Sequence, residues 1–244
     1  MDPIVEFENK KKENIEKLSK DERMTEVNKQ WVIQAAKYNY SYNFSWMGRP
    51  IIAFPTDMIA MQEIIWSVKP DLIIETGIAH GGSIVYYASL LELIGEEGKV
   101  LGIDIDIRAH NKKLINEHPM MKRIYMIEGS SVDNNICTQV KDFAKNYKKI
   151  MVCLDSNHTH EHVLRELELY SQLVTKDSYL VVFDTSIEDY EIDSISERSW
   201  GKGNNPKTAV WEFLKHNDSF VIDKQIENKL LITVCADGFL KKIK

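Results

Sequence analysis

The sequence predicts a single α/β domain built on a mostly parallel β-sheet with helices on both faces. Five short apolar runs alternate with helix-length segments from Pro70 onward. The runs are DLIIET (71–76), KVLGIDI (99–105), RIYMIEG (123–129), KIMVCLD (149–155) and SYLVVFDT (178–185). Short apolar strands joined by helical crossovers are typical of parallel strands that are covered on both faces.

Two further strand candidates lie near the C-terminus, after the helix-like segment 208–217. They are FVID (220–223) and LLITVCADGFL (230–240), and only KQIENK separates them. Strands that are so close in sequence are expected to pair as an antiparallel hairpin. Together with the five parallel strands they predict a seven-stranded, mostly parallel sheet, although a six-stranded nucleotide-binding fold would give a similar pattern.

The segment 1–45 is polar and rich in lysine, and its apolar residues recur at helical spacing. These residues include Ile15, Leu18, Met24, Val27, Trp31 and Ala35. We therefore predict an N-terminal helical extension over residues 1–45 and one α/β domain over residues 46–244. The apolar positions of the extension could pack on the sheet or on a second copy of the chain, and we expect a homo-oligomer.

The charge distribution argues against a nucleic-acid partner. The formal net charge is -6, from 37 acidic and 31 basic residues, and basic runs interleaved with aromatic residues are missing. No apolar stretch approaches the length of a membrane span, and the first residues do not resemble a secretory signal, so we expect a cytoplasmic protein. The three cysteines show no CxxC spacing, which makes disulfides and a cysteine zinc site improbable.

A glycine-rich turn follows the first predicted strand. It runs from Glu75 through Gly77 to Gly81-Gly82-Ser83, and such turns let backbone amides approach a ligand. A dinucleotide fingerprint requires glycine where Ala79 stands. The acidic Glu75 instead favours a cationic cofactor without phosphate, bound by Glu75, Gly77, Gly81 and Ser83. The competing interpretation is a structural turn with no ligand.

The next two strands end in residues that suit an adenosine group. Asp104 ends the second strand, where a carboxylate can accept hydrogen bonds from both ribose hydroxyls. Ser130 follows the third strand, at a place where small polar groups often hold adenine. For Asp104, a capping role at the start of a helix over 105–116 is a serious alternative.

Two carboxylates end the fourth and fifth strands, and parallel neighbours should bring Asp155 and Asp184 into one crevice. Because adjacent carboxylates repel, a divalent cation such as Mg²⁺, Mn²⁺ or Ca²⁺ between them is the simplest explanation. The cation would lower the pKa of a substrate hydroxyl, with His158 as the base. The alternatives are a metal held by His158, His160 and His162, or capping roles for both acids.

These residues resemble the cephalosporin hydroxylase-like family over residues 46 to about 240. The shared motifs are Trp46-x-Gly48-x-Pro50, Asp57, Gln62, Lys69-Pro70-Asp71, Glu75-Thr76-Gly77, Gly81-Gly82-Ser83, Gly102-Ile103-Asp104-Ile105-Asp106, Leu154-Asp155-Ser156-x-His158, Glu166-Leu167 and Val181-Val182-x-Asp184-Thr185. The resemblance implies a Rossmann-like methyltransferase fold. It also implies O-methylation that depends on S-adenosylmethionine and Mg²⁺, with macrolide sugars among the acceptors of characterised relatives.

Carried over by position, the family roles place Asp104 at the ribose and the metal between Asp155 and Asp184. Glu75 and Gly77 would line the cofactor site, and His158 would be the base. The chain departs from the family at Phe183, where characterised relatives have a glutamate. The resemblance leaves Glu188 or Asp189 as a substitute ligand.

The polar segment 186–207 is longer than a simple connection, which is typical of a lid over a substrate. Trp200 could stack on a sugar, and Asn204 or Asn205 could bind its hydroxyls. We therefore expect a small-molecule or glycan acceptor. Two other functions stay open: a cofactor-dependent oxygenase or NAD-type oxidoreductase, and a catalytically silent protein that binds S-adenosylmethionine within an assembly.

Overall fold

The computed structural model describes residues 2–190 and 198–244, and it contains the predicted succession of strands and helices. The strands are β1 (Phe44–Trp46), β2 (Arg49–Ile51), β3 (Leu72–Thr76), β4 (Lys99–Asp104), β5 (Ile124–Glu128), β6 (Ile150–Leu154), β7 (Tyr179–Val182), β8 (Phe220–Ile222) and β9 (Phe239–Lys242). The helices are α1 (Pro3–Ser19), α2 (Glu22–Ala36), α3 (Pro55–Val68), α4 (Gly82–Ile94), α5 (Ala109–Asn116), α6 (Asn134–Ala144), α7 (His160–Tyr170), α8 (Pro206–His216) and α9 (Lys224–Leu230).

Seven strands form one sheet in the order β5-β4-β3-β6-β7-β9-β8. The five strands from β3 to β7 pair in parallel, whereas β9 pairs antiparallel with both β7 and β8. The predicted seven-stranded, mostly parallel sheet is confirmed. The strand order reverses at β3, because β4 lies on one side of β3 and β6 lies on the other. In open α/β sheets, ligands bind at such a switch point.

The predicted C-terminal hairpin is partly wrong. The strands β8 and β9 do pair antiparallel, but the segment KQIENK belongs to helix α9 instead of a tight turn. Most of the predicted strand 230–240 is irregular, and β9 begins only at Phe239. The apolar residues at 230–235 predict a strand from the sequence alone. In the structure Val234 and Cys235 pack in the core without belonging to a strand, because burial does not require sheet pairing.

Strand residues alternate between two apolar cores, one on each face of the sheet. In β3, Ile73 belongs to one core, and its neighbours Leu72 and Ile74 belong to the other. Helices α3 and α4 cover the first face, while α6, α7 and α8 cover the second. Because both faces are buried, the central strands are apolar throughout, as the continuous apolar runs in the sequence indicate.

The N-terminal extension is helical, as predicted, but its two helices differ in how they pack. Helix α1 has no buried residue and contacts α9, whereas α2 buries Val32. The Trp31 ring meets the rings of Tyr40 and Phe54 at 5.0 and 6.0 Å. The domain division at residue 45 stays a prediction, and so does the homo-oligomer.

None of the helices in the described part of the chain is long and apolar enough to cross a membrane. All three cysteines, Cys137, Cys153 and Cys235, are buried and free. Burial without a disulfide partner is consistent with their role as small apolar side chains.

We expect Gly82→Ala to destabilise the fold. A Cβ atom at Gly82 would lie 2.1 Å from the Pro50 carbonyl oxygen, so β2 could no longer sit against α4. Overpacking of this kind costs about 2 kcal/mol of unfolding free energy, measurable by urea denaturation. The control is Gly201→Ala, because a Cβ atom there meets nothing within 4 Å. Equal midpoints for the two variants would contradict the prediction.

Candidate active site

The predicted site residues meet where the parallel strands end. Glu75, Asp104, Asp155 and Asp184 lie at or just after the carboxyl ends of β3, β4, β6 and β7. Two adjoining cavities open at this edge, with volumes of about 150 and 230 Å³. Both are lined by Gly77 and Ser156, so they meet at the glycine turn. We call the first the β4 cavity and the second the central cleft.

Asp104 lies in the β4 cavity and holds the glycine turn in place. Its Oδ2 accepts hydrogen bonds from the amides of Ile78 and Ala79 at 2.7 and 3.0 Å. Helix α5 begins at Ala109, four residues later than the predicted helix over 105–116 and with Arg108 at its N-cap. Asp104 lies five residues before the first helical residue and four before the N-cap Arg108, so the capping alternative for Asp104 is wrong.

Small polar groups line the rest of the β4 cavity. Ser130 is among them, as predicted, together with Ser131 and His162. The Nε2 atom of His162 lies 3.1 Å from Ser131 Oγ and 3.2 Å from Ser156 Oγ. The sequence alone does not place His162 in this cavity. Its spacing of four from Glu166, a fully buried acid, was the available signal.

Glu75 is buried beneath the central cleft. Its Oε2 accepts a hydrogen bond from Ser83 Oγ at 2.7 Å. Burial raises the pKa of Glu75 to about 8, although the hydrogen bonds from Ser83 and Tyr87 oppose the shift. A cationic ligand group would favour the ionised form, which agrees with the predicted cationic cofactor.

Two glycines of the turn, Gly77 and Gly81, have different structural roles. A Cβ atom at Gly77 would lie 2.1 Å from the Asp155 carbonyl oxygen, so only glycine lets β3 and β6 approach each other here. Gly81 caps α4 with a φ of 82° and packs on the Ile115 side chain. Neither Gly81 nor Glu75 is among the residues that line the two cavities, whereas the other predicted cofactor residues, Gly77, Ser83, Asp104 and Ser130, are.

Asp155, His158 and Asp184 form a compact cluster. Each offers one ligand atom, and these atoms lie within 4.8 Å of one another. Burial and the neighbouring Asp184 carboxylate raise the pKa of Asp155 well above its usual range. His158 Nε2 lies 3.3 Å from Asp184 Oδ2. Among residues 2–190 and 198–244, this is the one group of three acidic or histidine side chains that is arranged to hold a cation. The structure therefore brings the predicted metal ligands and the predicted base together.

Asp184 adopts a left-handed backbone conformation, with φ at 56°. Its side chain makes no capping hydrogen bond to the following turn, Thr185–Glu188. The carbonyl oxygen of Val234 accepts hydrogen bonds from Ser186 N and Thr185 Oγ1 at 3.1 and 3.2 Å. A non-glycine residue in this region is strained, and such strain persists where surrounding contacts hold it.

Buried Asp57 holds the segment that contains Val234. Its Oδ2 accepts a hydrogen bond from Val234 N at 3.0 Å, and its Oδ1 accepts one from the Thr233 hydroxyl. Burial raises the pKa of Asp57 to about 7. Asp57 therefore supports the turn after Asp184 indirectly, because Val234 contacts both Asp57 and that turn.

The three clustered histidines diverge, because the segment that carries them enters helix α7 at His160. His158 points to Asp184, and its ring meets the edge of Trp200 at 5.0 Å between centroids. His160 Nδ1 lies 2.8 Å from Thr208 Oγ1, on the opposite side from the Ser131 partner of His162. The three rings cannot hold one metal ion, so the histidine-metal alternative is wrong.

Neither proposed substitute for the missing glutamate reaches the cluster. Glu188 Oε2 accepts hydrogen bonds from Gly203 N, at 2.7 Å, and from Asn205 Nδ2. Asp189 pairs with Lys207 at 2.6 Å. Both acids therefore organise the loop before α8. Phe183 itself lines the central cleft, as do both aspartates.

The loop asparagines are also occupied internally. Asn204 Oδ1 accepts a hydrogen bond from His160 N at 2.9 Å, and Asn205 caps α8 while fully buried. Asn205 is fully buried, so sugar hydroxyls cannot be its partners, and that part of the prediction is wrong. Asn204 is exposed, and its predicted role in binding a sugar stays a prediction. Trp200 lies beside His158, where stacking on a sugar is feasible. The part of the predicted lid at 191–197 lies outside the described residues.

The profile of the family described as Rhamnosyl O-methyltransferase/CmcI matches residues 38–243. This chain belongs to that family. The resemblance drawn from the sequence motifs is therefore confirmed, because CmcI-type proteins are the cephalosporin hydroxylase-like group.

Named relatives in the family act on rhamnosyl groups. The rhamnosyl O-methyltransferase of Mycobacterium tuberculosis is 33% identical over 186 residues, covering 76% of this chain and 72% of the relative. The Mycobacterium leprae enzyme is 33% identical over 204 residues, covering 83% and 85%.

Solved structures support the fold. CmcI without ligand has a TM-score of 0.58 at 18% identity, covering 83% of this chain and 77% of CmcI. CmcI with Mg and SAM has a TM-score of 0.56 at 18% identity, covering 83% and 78%. An O-methyltransferase from Bacillus cereus with SAH gives 0.53 at 15% identity, covering 82% of each chain. The predicted Rossmann-like methyltransferase fold is confirmed.

We expect the stability of the ligand-free protein to fall as pH rises through the titration of Glu75. Its folded-state pKa is raised to about 8 from an ordinary 4.5, so the folded protein retains a proton that the unfolded chain releases. The resulting stabilisation is complete below the ordinary pKa and is lost as pH rises through about 8. Glu75→Gln should flatten this slope in urea unfolding.

The control for this measurement is Glu97→Gln, since the Glu97 side chain is 97% exposed. The Glu97 variant should keep the wild-type slope. Identical slopes for wild type and Glu75→Gln would contradict the assignment.

We expect Phe183→Glu to tighten Mg²⁺ binding at least tenfold, or about 1.4 kcal/mol. Phe183 lines the central cleft with Asp155 and Asp184, so a carboxylate there adds an oxygen ligand of the kind Mg²⁺ prefers. Calorimetric titration with magnesium chloride measures the change. Phe183→Gln is the matched control of equal length without charge, and equal affinities of the two variants would contradict a ligand role for this position.

Proposed function

We propose that this protein transfers the methyl group of S-adenosylmethionine to a hydroxyl of a sugar, with the rhamnosyl group of its named relatives as the first candidate. The observation that carries the proposal is the cluster of Asp155, His158 and Asp184 in the central cleft. The central cleft opens beside the glycine turn. The residues that would activate a hydroxyl therefore lie next to the cavity proposed for the cofactor. The relatives that share 33% of their residues with this chain are rhamnosyl O-methyltransferases.

The residues of the β4 cavity fit an adenosine group. Asp104 uses Oδ2 on two turn amides, and Oδ1 accepts one bond from Asp106 N, so lone pairs remain for ribose hydroxyls. Ser130 and Ser131 provide small polar partners for adenine. Buried Glu75 lies beyond the turn, where an ionised carboxylate would balance the positive charge of the methionine part.

The cluster fits a divalent cation. Two carboxylates face one crevice, and burial together with the neighbouring Asp184 carboxylate raises the pKa of Asp155, which a bound cation would oppose. Asp155 and Asp184 would hold the metal. The bound metal would polarise the acceptor hydroxyl and make it more acidic.

His158 is the base in this proposal. Its Nε2 faces Asp184 Oδ2, which orients the ring and stabilises the charge that it gains on protonation. The hydroxyl proton passes to His158, and the hydroxyl oxygen forms a bond to the methyl carbon. The carbon–sulfur bond breaks, and its electron pair stays on sulfur. Trp200, whose ring touches His158, limits access of water from the loop side.

The donor set does not favour the iron oxygenase alternative. Non-haem iron oxygenases use two histidines and one carboxylate, whereas the cluster found in the described parts of the chain has one histidine and two carboxylates. Two carboxylates and one histidine suit a metal-assisted deprotonation of the acceptor hydroxyl.

The test is calorimetric titration with S-adenosylmethionine, with and without magnesium chloride. We expect binding that Asp104→Ala weakens at least tenfold, or about 1.4 kcal/mol, because the variant loses the ribose acceptor and loosens the turn. Asp106→Ala is the control, since its side chain is 70% exposed. Methyl transfer to rhamnosides, followed by mass spectrometry, should require the metal. No binding in either condition would overturn the proposal.

A further inference from the structure

A third cavity adjoins the central cleft on the side of the N-terminal helices. Its volume is about 150 Å³, and we call it the aromatic cavity. Tyr42, Ile52, Asp184 and Arg198 line both the aromatic cavity and the central cleft. The two spaces are therefore continuous, and they meet beside the proposed metal ligand Asp184.

Five aromatic rings contribute to the walls of this cavity. They are Tyr40, Tyr42, Phe54, Tyr190 and Trp200. Polar groups stand among them, from Asn39, Ser41 and Ser186. Flat rings interspersed with hydrogen-bonding groups suit a planar heterocycle better than a flexible acyl chain.

The N-terminal extension builds part of this wall. Helix α2 contributes Val32 and Ala36, and the ring of Trp31 holds Tyr40 and Phe54 in place. Helix α2 ends at Ala36, before the family match begins at residue 38. The cavity is therefore shaped by a segment that lies outside the family match, as expected of a device that selects this chain's own acceptor.

Arg198 supplies a positive charge at the junction of the two spaces. Its guanidinium stacks over the Trp200 ring at 4.6 Å from the centroid. Within the residues described, no carboxylate forms an ion pair with Arg198, although the chain is acidic overall. An arginine at the mouth of a cleft is suited to a phosphate group, which its planar fork can bind in bidentate fashion.

We infer that the acceptor is a sugar joined through a diphosphate to a nucleoside. The inference rests on the proposed function and specifies its acceptor. The sugar lies at the Asp155–Asp184 cluster, the diphosphate at Arg198, and the base among the rings of the aromatic cavity. The order of the three sites, carboxylate cluster, arginine and aromatic cavity, matches the order of the three parts of a nucleotide sugar.

The first experiment measures binding of deoxythymidine diphosphate, without S-adenosylmethionine, by calorimetry in the presence of magnesium chloride. Arg198→Gln should weaken binding at least tenfold because the phosphate loses its cation. Ala36→Trp should abolish binding because the indole fills the aromatic cavity. The control is Arg165→Gln, an exposed arginine that pairs with Glu168 on α7. All three variants should bind S-adenosylhomocysteine like the wild type, which shows that they are folded.

The second experiment compares deoxythymidine-diphosphate-rhamnose with octyl rhamnoside as methyl acceptors. We expect kcat/KM to be at least tenfold higher for the nucleotide sugar, and Arg198→Gln to remove this preference. Methylation of octyl rhamnoside alone would overturn the inference and leave the methyltransferase function intact. Nucleotide binding that depends on Arg198, in a protein that does not bind S-adenosylmethionine, would overturn the proposed function and keep only the nucleotide site. Equal nucleotide binding by wild type and Arg198→Gln would also overturn the inference.

Discussion

The candidate active site depends on the electrostatic repulsion between Asp155 and Asp184, which the sheet holds close together. Strands β6 and β7 pair in parallel register, Leu154 opposite Val182, so the residues that follow them reach the same edge. Asp155 and Asp184 are thereby held together in a partly desolvated crevice, where the raised pKa of Asp155 records the electrostatic cost. A cation between the carboxylates removes that cost, because opposite charge favours the ionised form. The fold therefore maintains a place for positive charge.

Several interactions away from the cleft keep this arrangement rigid. Gly77 lets β3 and the end of β6 approach closely, and Asp104 fixes the turn that follows β3. On the other side, Asp57 holds the Val234 segment, which in turn supports the strained turn at Asp184. Each of these contacts joins segments that are far apart in sequence. Preorganisation of this kind keeps ligands and base at fixed separations without reorganisation during the reaction.

The loop between β7 and α8 and the N-terminal helices perform a different task from the sheet. The sheet edge presents the groups for cofactor and metal, whereas Arg198, Trp200 and the rings held by α2 surround the space beyond Asp184. This separation lets acceptor selection change without disturbing the reactive cluster. Function-bearing loops on a fixed scaffold are the common pattern in α/β folds. The extension thus contributes Val32 and Ala36 to the wall of the aromatic cavity.

The sequence by itself determined the parallel sheet and the residues at its carboxyl edge. Alternating strands and helices have a local periodicity, and strand ends such as Asp104, Asp155 and Asp184 can be located from that periodicity alone. Only the tertiary structure decided the partners of Glu188, Asn204 and Asn205, the placement of His162 in the β4 cavity and the role of α2 in the aromatic cavity. The irregular path at 230–238 was also beyond the sequence. These features depend on contacts between distant segments and on the aim of single side chains, which no local pattern of apolar residues encodes.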